Sequence, residues 1–235
     1  MIHAIYWNIG QRTVNQDSIS LQQVLCRKGR VTMALVADGI GGLAEGETAS
    51  GYVAEELTDW FYKEAVCYHA NIGFKRKHRK LIRSLNRKVH QMGEQLKQYG
   101  EQKQIQLGTT CVCLLLYEKY FLLMHIGDCN VYYGKGKTIK RLTEPHVERN
   151  GAVNKCIGSM GFYEPDYFIG KVARHGSMLL CSDGFWKQGE KHFKGMLRPK
   201  DMQDSKGMER RLKLIGEKNL QEGTKDNQSA VYLSW

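Results

Sequence analysis

Five aspartates stand at the ends of apolar runs in this sequence, and their placement is the first sign of chemistry. Asp38 closes the run "VTMALVA" and is followed by Gly39, Gly41 and Gly42, three glycines in four positions. Asp17 opens "SISLQQVL", Asp128 follows "YFLLMHIG", Asp183 follows "SMLLCS", and Asp226 with Asn227 precedes "SAVYLS". Glycine is kept where the chain must take a positive φ or approach something closely, so the stretch around Asp38 reads as strand, tight turn, helix. Taken alone, Asp38 fits either a structural turn with an Asx-type hydrogen bond or a metal or phosphate site at a strand end. The other four aspartates favour the second. Carboxylates gathered at one rim repel each other unless a cation neutralises them. Hard oxygen donors without an organised His or Cys set point to magnesium or manganese rather than zinc.

Elements able to bring these residues together are legible from hydrophobic periodicity. Ten short runs read as strands: "HAIYW", "SISLQQVL", "VTMALVA", "TTCVCLLLY", "YFLLMHIG", "NVYYG", "TIKRL", "DYFIGKVA", "SMLLCS" and "SAVYLS". They are rich in Val, Ile, Leu, Tyr and Phe and are separated by Gly, Asn, Asp or Lys turns. Two long helices are expected between the third and fourth runs. The first covers about 46–66, where Ala49, Val53, Leu57, Trp60, Phe61 and Ala65 form one apolar stripe; the second covers 75–103. A third helix, at about 205–220, precedes the last strand. This order predicts an α+β fold, a four-layer α-β-β-α sandwich with two mostly antiparallel sheets inside and helices outside. No repeat or linker interrupts residues 1–235, which are expected to form one catalytic domain.

Composition limits the alternatives. A chain of 235 residues buries a substantial core without staples. Seven cysteines with no C-x-x-C suggest neither a disulfide framework nor a zinc ribbon, and most sit in apolar runs. No run approaches the roughly 20 apolar residues of a membrane span, and the N-terminal residues lack signal-peptide features, so a reducing cytoplasm is expected. The net charge of +11 raises nucleic acid as a partner, but residues 75–103 alone hold ten Lys or Arg against two Glu. There Leu81, Ile82, Leu85, Val89, Met92 and Leu96 recur at helical spacing, which makes the segment an amphipathic helix with a basic outer face. "KRKHRK" at 75–80 reads as a solvated helix start, with a docking face for an acidic partner as the other reading. No aromatic-interleaved or helix-turn-helix pattern accompanies it, so nucleic acid is not the expected partner.

"RTVNQDS", "VADGIGG", "GTT" at 108–110, "HIGDCNVY", "LTEPH", "LLCSDGFW" and "KDNQSAVYL" follow the order and spacing of the metal-dependent type 2C Ser/Thr protein phosphatases. The resemblance runs from Arg12 to Leu233. It implies that Asp38 bridges two metal ions beside the carbonyl of Gly39, and that Asp183 and Asp226 are ligands of the second ion. It also implies that Asp17 orients water around the first ion, with Gln16 standing where many relatives carry glutamate. Asp128 resembles the ligand of a third, weaker ion of bacterial members. Arg12 matches the arginine that grips the substrate phosphate, a role suited to its fork of donors. Thr109 and Thr110 match a motif of structural role. The ions implied are Mn2+ or Mg2+, two in the core site with a third beside them, and the reaction is direct attack of a metal-bridging hydroxide on a phosphomonoester.

This sequence also departs from the pattern. Ile40 stands where eukaryotic relatives carry a histidine acid, as bacterial members often have methionine there, which leaves a metal-bound water as the acid. Asn130 replaces a usual arginine, and the flap between "LT" and the following glycine is reduced to about 145–154. His125 and His175 read as structural or solvated residues, and His146, on the short flap, as a candidate for touching the phosphate or acting as acid. Cys181 reads as a core residue, because an aspartate two positions on opposes a stabilised thiolate. The function expected is a signalling phosphoserine/phosphothreonine protein phosphatase, monomeric, opposing a cognate Ser/Thr kinase on its phosphoprotein substrates. The alternative is a low-turnover phosphoprotein-binding module on the same fold.

Overall fold

The computed structural model describes the chain except residues 28, 72, 73, 159, 160, 162 and 200–203, and side chains except those of 69–71, 74–77 and 194 as well. The expected strands form where the apolar runs lie: β1 Ile2–Asn8, β2 Asp17–Cys26, β3 Gly29–Gly39, β4 Gly108–Tyr117, β5 Tyr120–Ile126, β6 Asn130–Lys135, β7 Thr138–Arg141, β9 Asp166–Lys171, β10 Gly176–Cys181 and β11 Gln228–Ser234. A two-residue strand, β8 Ile157–Gly158, was not foreseen; it pairs with the start of β4. One sheet has the order β1-β11-β10-β6-β7 and the other β2-β3-β4-β5-β9, and every pairing is antiparallel.

Alternation along β3 and β4 explains the layering. Ala34, Val36, Val112 and Leu114 face Val131, Met178, Leu180, Val231 and Leu233 of the other sheet. Their neighbours Met33, Leu35, Cys113 and Leu115 face the opposite way, onto Leu57, Trp60, Leu85 and Met92 of the helices. Both faces of these strands are therefore covered, which is why they read as continuous apolar runs rather than alternating ones. The second sheet repeats the arrangement. Leu179, Cys181, Ala230 and Tyr232 turn outward onto Phe185, Phe193, Leu212 and Ile215. Two sheets packed face to face with a helical layer on each outer side give the α+β sandwich that the element order implies.

Helices depart from expectation in two places. The first expected helix is α1 Gly46–Trp60, which passes through a π-helical turn, Phe61–Ala65, into α2 Val66–Asn71. The wider turn buries the adjacent Trp60 and Phe61 together, and Trp60 Nε1 donates to Ser84 Oγ at 2.7 Å on the next helix. That helix, α3 Phe74–Lys103, buries Leu81, Leu85, Val89, Met92 and Leu96 as its stripe predicts. Within "KRKHRK", the side chains of Lys75, Arg76 and Lys77 lie outside the described residues. His78 is buried and hydrogen-bonded to Tyr117, so the run is not wholly a solvated face. The second departure is α4 Asp183–Met196, absent from the sequence reading. Its Gly184, Gly189 and Gly195 depress helix propensity, and the burial of Phe185 and Phe193 overrides that cost. α5 Ser205–Gln221 forms as expected, capped by Asp204 accepting from the Gly207 N–H at 2.8 Å.

Candidate active site

Strand pairing brings the five aspartates to one end of the sandwich. Asp17 lies opposite Asp38 in the β2–β3 register, and Asp38 lies opposite Thr110 in the β3–β4 register. Thr109 Oγ1 donates to the Asp38 carbonyl at 2.8 Å, which fits the structural role expected of it. Asp128 follows β5 through Gly127, whose φ of 95° suits glycine. Asp183 is the first residue of α4, after Ser182, and Asp226 leads into β11 between β1 and β10. A cleft of roughly 210 Å³ opens there, lined by Arg12, Gln16, Asp38, Gly39, Ile40, Thr110, Asp128, Val153, Asp183 and Asp226. A larger hollow beside α3, roughly 720 Å³, has no such cluster of carboxylates, so size does not identify the site.

Three of these carboxylates form the tightest group. One oxygen each from Asp38, Asp128 and Asp183 lies within 4.8 Å of the others. Burial raises Asp38 well above the usual carboxylate range, and the charges of Asp17, Asp183 and Asp128 add to the rise. Burial also raises Asp128 to about 7, helped by Asp183 and opposed by Lys187. Asp17 lies beneath the cleft, 3% exposed, and accepts from Ser182 Oγ at 2.8 Å. Its carboxyl is likewise raised to about 7 by burial, against the pull of the Ser229 and Ser182 hydroxyls. Asp226 is set apart. Arg12 donates to both of its oxygens, Nε at 3.0 Å and Nη2 at 2.9 Å, so the expected phosphate clamp and the expected metal ligand form a bidentate pair at the mouth. The Arg12 guanidinium pKa is raised chiefly by its hydrogen bond to Asp226.

The glycine after Asp38 has a cause the sequence did not show. A Cβ on Gly39 would stand 2.3 Å from the Gly46 carbonyl oxygen at the start of α1. Backbone on both sides leaves nothing that can move, so Gly39→Ala is expected to destabilise by about 1–3 kcal/mol, the scale of overpacking. A urea melt of that variant measures it; an unchanged midpoint would contradict the packing argument.

Other residues singled out in the sequence lie outside the cleft. Asn130 is fully buried and its amide pairs with the Thr143 hydroxyl at 2.8 Å. His146 Nδ1 accepts the Gly127 N–H at 3.1 Å, which leaves Nε2 as the protonated nitrogen, 3.0 Å from Asp166. The ring stacks on His125 at 4.6 Å between centroids. With both nitrogens committed, His146 serves as a strut between the Asp128 loop and β9 rather than as an acid. Burial lowers His125 to about 4, with His146 adding to the effect, so it is neutral near pH 7. His175 is exposed in the turn before β10. Cys181 is fully buried, and burial raises its thiol well above the usual range, as a core cysteine requires. On the short flap, Val147 and Val153 form an isolated bridge, and Val153 reaches the cleft.

Three residues of the site region were given no role by the sequence reading. Lys187, one turn after Asp183 on α4, places Nζ 2.5 Å from Asp183 and 3.8 Å from Asp128. Burial lowers its pKa, but Asp183, Asp128 and Asp38 outweigh this and the net shift is upward. Trp186 Nε1 donates to the Asp128 carbonyl at 2.9 Å, fixing that loop to α4. Asn227 accepts from the Gln16 N–H at 2.9 Å and donates to the Ile9 and Val14 carbonyls, tying the loop that carries Arg12 to β11. The only available signal was the i to i+4 spacing of Asp183 and Lys187, which needs α4 to be recognised first.

Fold and cleft together define an α+β sandwich protein whose site is a cluster of hard oxygen donors. A sequence model of the family described as "Protein phosphatase 2C" matches residues 7–222. The chain is 24% identical to the "Serine/threonine phosphatase stp" of Listeria welshimeri, over 67% of this chain and 68% of that one. It is 26% identical to "Protein phosphatase PhpP" of Streptococcus pneumoniae, over 75% and 76%. The fold matches the crystal structure of serine/threonine phosphatase Stp1 from Staphylococcus aureus, with a TM-score of 0.82 at 22% identity, covering 100% of this chain and 95% of that one. It also matches the catalytic domain of the phosphatase PstP in complex with two manganese ions, with a TM-score of 0.76 at 21% identity, covering 98% and 96%. The chain belongs to the protein phosphatase 2C family and is an enzyme of that class, a protein phosphatase.

Proposed function

We propose that the aspartate cleft is the catalytic centre of a metal-dependent serine/threonine protein phosphatase, with residues 1–235 acting as one catalytic domain. The observation that carries this reading is the convergence of Asp38, Asp128 and Asp183 within 4.8 Å in a chain of the 2C family. The donor set suits a hard divalent cation: buried carboxylates with raised pKa values are poised to exchange a proton for a metal ion. Asp38 with the Gly39 carbonyl, Asp183 and Asp226, backed by Asp17, would hold two ions of Mn2+ or Mg2+. When bound, such ions supply the Lewis acidity that activates water and neutralises charge gathering on the phosphoryl oxygens.

The chain's own residues orient what enters. Asp17 accepts from Ser182 at one oxygen and lies opposite Asp38 in the strand register, which keeps its carboxylate beneath the cleft. Arg12 commits two of its five N–H groups to Asp226, leaving three for the phosphate of a substrate. Ile40 lines the cleft without bringing a proton, and no histidine lies among the described lining residues. A cleft of roughly 210 Å³ takes a phosphorylated side chain rather than a folded segment. Phosphorylated proteins are the substrates we infer, with a cognate Ser/Thr kinase acting in opposition in the cytoplasm. No helix among the described residues is long and apolar enough to cross a membrane.

Hydrolysis of a phosphothreonine peptide in Mn2+, in Mg2+ and in chelator tests the reading. Phosphate release with either ion and none with chelator is expected; equal release in all three would overturn it. Saturable peptide binding without release in any condition would favour the binding-module alternative. Arg12→Ala is expected to raise KM about tenfold or more and to lower kcat less, since a charged hydrogen bond contributes roughly 1.5–3 kcal/mol. An unchanged KM for the peptide would remove Arg12 from the role of phosphate clamp.

A further inference from the structure

A cationic side chain already occupies one edge of the carboxylate cluster. We propose that the Lys187 ammonium is a resident cation at the Asp128–Asp183 edge, so that the cleft binds two divalent ions and excludes a third. The inference rests on the reading of this cleft as a metal centre. Sequence resemblance alone matched Asp128 to a third ion, and the structure places a fixed positive charge where that ion would have to share Asp128 and Asp183.

The geometry is built rather than accidental. Lys187 stands four residues after Asp183, so both side chains leave the same face of α4. Its Nζ is 2.5 Å from Asp183 Oδ2 and 3.8 Å from Asp128 Oδ2, which places it in ion-pair contact with both carboxylates. α4 is anchored by the buried Phe185 and Phe193, and the Trp186 indole holds the Asp128 carbonyl at 2.9 Å. Ammonium and both carboxylates therefore sit on one rigid unit, and the pairing needs little further ordering of the chain. The Lys187 side chain is 48% exposed, and its ammonium lies against Asp183 and Asp128, two of the carboxylates that line the cleft.

The consequence is competitive. An ion entering between Asp128 and Asp183 must expel the ammonium or share two carboxylates with it at contact distance, where like charges repel strongly in a partly buried site. The edge around Asp38, Gly39 and Asp226 carries no such lysine among the described residues. Arg12, the other cation of the cleft, sits on Asp226 at its mouth. Lys187 meets Asp183 through Oδ2, which leaves the other oxygen of Asp183 to an ion beside Asp38, whereas Arg12 must release Asp226 for that residue to serve as a ligand.

Equilibrium dialysis against Mn2+, with bound metal counted, tests this on the wild-type chain, Lys187→Met and Lys187→Arg. Methionine keeps the length of the stem and removes the charge; arginine keeps the charge. Wild type and Lys187→Arg are expected to bind two equivalents, and Lys187→Met three. Three equivalents on wild type, or only two on Lys187→Met, would overturn the inference while leaving the metal centre standing. No Mn2+ on wild type would overturn the metal-centre reading and this inference with it. Should Lys187→Met fail to fold, Lys187→Gln removes the same charge with a polar side chain suited to the rim, and the same counts apply.

Discussion

Asp38→Asn is expected to remain folded and to lose phosphatase turnover by roughly a thousandfold, the scale of removing a group that acts on transition-state charge. The amide keeps the shape of the side chain, so the β3 backbone, its pairing with β2 and β4, and the Thr109 contact have no reason to change. What changes is charge. Asp38 sits against Asp17, Asp183 and Asp128, and each of those charges raises its pKa on top of the effect of burial. Removing it relieves that repulsion, so the metal-free variant should melt at a higher temperature than metal-free wild type at pH 8. Peptide turnover and a thermal melt on the same preparation check both halves. Wild-type turnover in Asp38→Asn would end the proposed role of this residue, and a lower melting temperature would contradict the repulsion argument.

The second large effect is a coupling of stability to pH and metal. Asp17 and Asp128 have folded pKa values of about 7 against an ordinary value of 3.8, so the metal-free fold favours their protonated forms. For such groups the stability contribution is full below the unfolded pKa and is lost as pH rises through the folded one. His125 has the opposite sense: its folded pKa of about 4 costs stability only as pH falls below 6.5, so it is silent above that. Metal-free protein is therefore expected to melt about 5 °C lower at pH 8 than at pH 6.5, taking roughly 2–4 °C per kcal/mol for a chain of this size. Mn2+ at about 100 times its Kd adds roughly 2.7 kcal/mol per site, and should raise the melting temperature more at pH 8 than at pH 6.5 because protons no longer compete. Calorimetry at the two pH values, with and without Mn2+, measures all four points. A metal-free protein that is more stable at pH 8, or an Mn2+ shift that is larger at pH 6.5, would overturn the assignment of these aspartates to a shared cation site.

Lys187 and Arg12 give the cleft an asymmetry that bears on substrate entry. One edge is closed by the Lys187 ammonium on Asp183, and the mouth carries the Arg12 guanidinium on Asp226. A phosphate dianion is expected to meet Arg12 at the mouth, where three of the guanidinium N–H groups are left over by Asp226. The short flap does not add a histidine acid, because the Gly127 N–H and Asp166 hold both nitrogens of His146.

The sequence by itself determined ten of the eleven described strands, the position of each aspartate at a strand end, and the layer order. These features rest on local signals: short apolar runs bounded by turn residues, glycine after Asp38 and before Asp128, and a 3.6-residue stripe from Leu81 to Leu96. Tertiary structure decided the rest. α4 was illegible because Gly184, Gly189 and Gly195 argue against a helix locally, and only the packing of Phe185 and Phe193 against the sheet makes one. Gly39 read as a glycine that something approaches closely, and only the fold shows that the α1 backbone at Gly46 is what leaves no room for a side chain there. His78 read as part of a solvated basic run until its burial against Tyr117 made it a core residue. The capture of Asp226 by Arg12 joins positions 214 residues apart. No periodicity or propensity encodes such a pair, because it exists only once β11 has been inserted between β1 and β10 and has carried Asp226 to the loop that begins with β1.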